Sequence, residues 1–75
     1  MRAYVLIRVR ASEEELLINA LQHVPGIIRT DFTFGPYDVI TEVEAEDIKG
    51  VATLVSGTSR SIPGVSETLT CLVVD

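Results

Sequence analysis

Few side chains in this sequence have the types and spacing to do chemistry. His23 is the single imidazole and Cys71 the single thiol. No serine or acid stands at a separation from either that would build a nucleophile, base and orienting group, so no catalytic residue is assigned. His23 lies just before Pro25-Gly26 and reads as a helix-end or surface residue, while Cys71 alternates with Leu69 and Val73 and reads as a packed core thiol. Glu42, Glu44, Glu46 and Asp47 are ligands a hard cation would accept, yet they lack the spacing of a calcium loop. A solvated strand end running into the positive N-terminus of a helix explains them, as it explains Glu13-Glu14-Glu15, and no metal or cofactor is expected.

Phe34-Gly35-Pro36-Tyr37-Asp38 differs in kind. Glycine opens backbone conformations closed to other residues, tyrosine brings a flat face with a polar tip, and aspartate brings a charge at the entrance to a strand. A turn needs only the glycine, so composition leaves a structural turn and a ligand-contacting turn both open. Thr68 and Thr70 place hydroxyls two residues apart; β-propensity accounts for the pair, and hydrogen bonding to a small polar ligand is the alternative.

Elements legible in the sequence must position these residues. Ala3 to Val9 is β-branched and alternating, which predicts a buried strand. Ser12 and Glu15 have capping-box spacing, and Leu17, Ala20, Leu21 and Val24 share one helical face, which predicts a helix over about 13–23 that Pro25-Gly26 ends. Ile27 to Phe34 and Tyr37 to Glu44 read as strands joined by a tight hairpin at Gly35-Pro36. Ile48, Val51, Ala52 and Val55 repeat a helical spacing from Asp47 onward, and Val65 to Val74 reads as the last strand. Val24-Pro25-Gly26-Ile27 and Ile62-Pro63-Gly64-Val65 match class for class, with Thr30 and Thr68 equally far beyond each. The order β-α-β-β-α-β predicts an α+β, ferredoxin-like fold in a single domain over residues 1–75: a four-stranded antiparallel sheet with both helices on one face.

One sheet face is then left uncovered. If Ala3, Val5 and Ile7 face the helices together with Leu69, Cys71 and Val73, the open face carries Tyr4, Leu6, Phe32, Phe34, Ile40, Leu72 and Val74 among Thr30, Thr68 and Thr70. That surface is too apolar for water, and a second copy packed sheet to sheet would cover it. Size points the same way. At 75 residues, with 47% hydrophobic residues and no second cysteine for an internal disulfide, self-association is the expected supplement to a small core. A net charge of −5 argues against tracking nucleic-acid phosphates, and no apolar run is long enough to span a bilayer, so a cytoplasmic protein is expected.

The sequence resembles the effector-binding domain of the Lrp/AsnC transcription regulators over essentially its whole length. Gly35-x-Tyr37-Asp38, Pro63-Gly64-Val65 and Thr68-x-Thr70 carry the resemblance. It implies a dimeric α/β barrel, further assembly into rings that are commonly octameric, and an amino acid effector bound between dimers. Gly35, Tyr37, Asp38, Thr68 and Thr70 would be the ligand-binding positions. Full regulators of this kind also carry a helix-turn-helix domain, whereas this chain starts directly at its first strand. The expectation is a stand-alone version that does not grip DNA and modulates transcription by joining a full-length Lrp/AsnC regulator. The family commonly has a threonine before the turn glycine; here the residue is Phe34, which has no hydroxyl. Two other functions fit the same fold: a purely structural oligomerisation domain, and a small dimeric α/β-barrel enzyme, for which the lack of an acid–base pair is the chemical obstacle.

Overall fold

The computed structural model describes residues 1–10, 13–62 and 64–74. The elements run β1 (Arg2–Val9), α1 (Glu14–Leu21), β2 (Ile27–Phe32), β3 (Val39–Glu44), α2 (Ile48–Ser61) and β4 (Val65–Leu72). Every strand pair is antiparallel, and the sheet order is β2-β3-β1-β4. This is the expected βαββαβ, ferredoxin-like arrangement, with the chain's first and third strands at the centre. Among the described residues, no helix is long and apolar enough to cross a membrane.

The core lies between the sheet and the helix layer. Ala3, Val5, Ile7 and Val9 alternate inward from β1, Val39 and Val43 from β3, and Leu17 and Leu21 meet them from α1. The four-residue step from Leu17 to Leu21 puts both on one helical face, and each buried aliphatic side chain of this size contributes about 1.5–3 kcal/mol. The α1 N-cap is Glu13, with no side-chain cap bond, while Glu14 and Glu15 lie favourably in the first turn. The expected capping residue, Ser12, lies outside the described residues. In α2, Asp47 caps the helix by accepting the Gly50 amide at 2.7 Å. Its inward face is Val51, Leu54, Val55 and Thr58; Ile48 and Ala52, expected on that face, are exposed.

Three expectations are corrected. First, the two middle strands do not meet in a tight turn at Gly35-Pro36. β2 ends at Phe32 and β3 begins at Val39, and residues 33–38 form a longer connection. Pro36 has no N–H to give a ladder, so pairing cannot continue to the tip. The connection closes at its base instead, where the Thr33 amide donates to the Asp38 carbonyl at 2.9 Å and the Thr33 hydroxyl to the Tyr37 carbonyl at 2.7 Å.

Second, β4 has the opposite phase. Thr68 stands across from Ile7 and Thr70 across from Val5, both core residues, while Leu69 and Cys71 stand across from Leu6 and Tyr4. Directly opposed residues share a face, so Thr68, Thr70 and Leu72 lie on the helix side and Leu69 and Cys71 on the open side. Cys71 is exposed rather than packed. Third, Thr30 and Phe32 also lie on the helix side, opposite Thr41 and Val39. The reason is common to all of these. A period of two is identical for both phases, and a slip of one residue moves every side chain to the other face; the β1–β4 ladder has a register shift between Arg8 and Val9 and the β2–β3 ladder one between Ile27 and Arg29.

The two glycines of the repeat have the same backbone conformation. Gly26 and Gly64 have φ of +94° and +93°. Each offers its carbonyl to a central strand end: Gly26 accepts from the Glu44 amide and Gly64 from the Arg10 amide, both at 2.8 Å.

Candidate ligand-binding site

The connection at 33–38 joins the ends of β2 and β3 and abuts the far end of β1. Asp38 ties these together. Its amide donates to the Ile7 carbonyl at 3.0 Å, and its Oδ2 accepts the Val9 amide at 2.8 Å. The last Cα pair of the β1–β3 ladder is Ile7 with Val39, so the carboxylate serves an amide that β3 backbone does not reach. Beside it, the Tyr37 ring carries the Arg8 guanidinium, 5.0 Å from ring centroid to Cζ. Gly35 is exposed and does not have a left-handed backbone; a Cβ added there would meet nothing within 4 Å. Phe34 at the tip is fully exposed. On the α1 side of the connection, Glu14, Phe32, Thr33, Phe34 and Asp38 line a hollow of about 340 Å³, within the range for a small-ligand site.

Of the five sequence-derived site residues, the structure brings Gly35, Tyr37 and Asp38 together and leaves Thr68 and Thr70 apart. The two threonines are on β4, with β1 between them and the connection. Thr68 borders an internal gap of about 10 Å³ among Val5, Ile7, Leu54 and Val55, beneath the helix layer. Thr70 is exposed on the same side of this edge strand.

Sequence reasoning passed over Arg8. It stands on the open face across from Glu67, with 3.7 Å between Arg8 Nε and Glu67 Oε1. The available signal was the alternation of β1, which puts Arg8 on the same face as Tyr4 and Leu6, next to the strand end that Asp38 holds. His23 is exposed just beyond α1, and Asp47 is spent on its helix cap.

The open face itself is apolar at its centre and charged around it. Tyr4, Leu6, Ile40, Leu69 and Cys71 lie there, flanked by Arg2–Glu42 at 2.8 Å and Arg29–Asp31 at 3.0 Å. Hydrogen bonding to Glu42, and then to Tyr4, raises the Arg2 pKa; the Asp31 carboxylate does the same for Arg29. Both guanidinium groups are exposed, so these shifts say that the pairs form, not that they add much stability. A larger hollow of about 640 Å³ runs along α2 beside Val24 and Pro25, past Gly50, Leu54, Gly57 and Ile62, and its lining is mainly apolar.

Residues 2–75 match the family model described as the Lrp/AsnC ligand binding domain. The chain belongs to the Lrp/AsnC ligand-binding domain family. Among solved structures it is similar to TTHA0845 from Thermus thermophilus, with 30% identity, a TM-score of 0.91 and coverage of 99% of this chain and 92% of that one. It is also similar in fold to the transcriptional regulator NMB0573 from Neisseria meningitidis, solved as a complex with L-Met: 17% identity, TM-score 0.89, 99% of this chain and 49% of that one. E. coli AsnC shares the fold at 16% identity and a TM-score of 0.85, with 99% of this chain and 50% of that one covered. The Lrp/AsnC domain thus corresponds to about half of each of these two regulators. No protein of curated function matches the sequence.

Proposed function

We propose that this Lrp/AsnC domain is an amino-acid-sensing and assembly module that acts on transcription through a partner regulator and does not bind DNA itself. The observation that carries the reading is the family match over 2–75 together with a connection, 33–38, whose Asp38 and Tyr37 stand at the rim of the sheet instead of in the core. The likeness to a regulator crystallised with L-Met supports an amino acid as the ligand class. The second oxygen of Asp38 receives the ammonium. Thr70, exposed on the edge strand, enters this site as a contribution from another copy, because within one copy β1 separates it from the connection, whereas Thr68 borders the core and stays out of it.

Self-association is part of the same proposal. The apolar centre of the open face, with ion pairs at its margins, has the layout of an interface: water is excluded from the middle and charges set the register at the rim. Isothermal calorimetry with a panel of L-amino acids on the wild type and on Asp38→Ala tests the ligand reading; no heat from either protein would defeat it. Sedimentation of the wild type and of Leu6→Asp tests assembly, with the variant expected to sediment as a monomer. Binding of no amino acid by a protein that is nonetheless dimeric would favour the purely structural oligomerisation domain. That alternative draws on Asp38 Oδ2 already serving the Val9 amide.

A further inference from the structure

Resting on the reading of this chain as an amino-acid sensor, we propose that Arg8 is the anchor for the ligand's α-carboxylate, and that Glu67 is its stand-in while the site is empty. A zwitterion brought into a cleft needs a partner for each charge, since an unpaired carboxylate out of water is costly. Asp38 supplies the negative group only. The Thr33 amide and hydroxyl bond within the connection, the Asp38 amide bonds to Ile7, and the Val9 amide bonds to Asp38, so these four donors are already engaged. A side-chain cation answers the carboxylate's full charge, and Arg8 is the cation that lies against Tyr37 of the connection.

Arg8 is the residue before Val9, so the guanidinium and the Asp38 carboxylate belong to neighbouring positions at one strand end. The Tyr37 ring, 5.0 Å from its Cζ, limits how the guanidinium plane can turn. Its partner Glu67 is held loosely. The separation of 3.7 Å is too long for a hydrogen bond, and both side chains are about half exposed, a setting in which such pairs contribute little. A carboxylate that accepts two parallel N–H bonds from the same guanidinium makes the stronger contact. Ligand binding then exchanges one carboxylate for another on Arg8 and releases Glu67 on the edge strand β4. That exchange links occupancy to the charge of the open face, where a second copy would pack.

The test uses the intact protein and L-amino acids alongside their carboxamides, which keep the ammonium and side chain but lack the carboxylate. Any amino acid that binds the wild type should bind at least about tenfold more tightly than its carboxamide. Arg8→Gln should lose that advantage, Arg8→Lys should keep part of it, and Glu67→Gln should tighten amino acid binding by up to about threefold. Thermal melts of each variant establish that it is folded. A carboxamide that binds the wild type as tightly as its acid, or a folded Arg8→Gln with wild-type affinity, would overturn the role of Arg8 while leaving the sensor reading intact. Binding of neither acid nor amide would overturn both.

Discussion

The two Pro-Gly corners and the Gly-Pro connection use the same two residue types and are built in opposite ways. At the corners, backbone geometry leaves no choice. Gly26 and Gly64 have φ near +90°, and a Cβ would come within 2.7 Å of Leu54 Cδ1 at the first and within 2.6 Å of Glu13 Cβ at the second. Each glycine carbonyl also receives the amide at the end of a central strand. At the connection, Gly35 has open space around it and no left-handed backbone, and the neighbouring Phe34 is fully exposed. The constraint there comes from Asp38 instead. The corners are structural necessities shared by both halves of the chain, whereas the tip of the connection is free of structural duty and available to a ligand or a second copy.

The sharpest way to break this contrast is to substitute the glycines. Gly26→Ala should cost about 3 kcal/mol in urea unfolding, from left-handed strain plus the clash with Leu54, and Gly64→Ala a similar amount. Asp38→Ala should cost less, about 1–2 kcal/mol, by stripping the Val9 amide of its acceptor, and Asp38→Asn, which keeps an acceptor oxygen, should recover most of it. Asp47→Ala removes the cap of α2 and should cost about 1 kcal/mol. Gly35→Ala should stay within about 0.5 kcal/mol of the wild type. A large loss at Gly35, or none at Gly26, would dissolve the distinction between corner and connection.

Much of this was readable along the chain. β1 was expected over Ala3–Val9 and runs Arg2–Val9, and the two helices and the fold follow the hydrophobic spacing and the Pro-Gly breaks. Those signals are local, carried by residues a few positions apart, which is why they survive without knowledge of the fold. The site was readable only in part. That residues 35–38 lie outside the strands was partly legible from Gly35-Pro36, but the extent of the connection was not, because Phe34 and Tyr37 look like strand residues until Pro36 removes the amide that pairing would need.

The amino-acid sequence by itself determined the order of elements and the positions of the corners, because periodicity, glycine and proline act over one or two turns of chain. Only the tertiary structure decided which side of β4 faces inward, that Thr68 and Thr70 stand apart from Asp38, and that Arg8 lies against Tyr37. Those outcomes depend on the register between strands far apart in sequence. Alternation specifies two faces but never says which of them is buried.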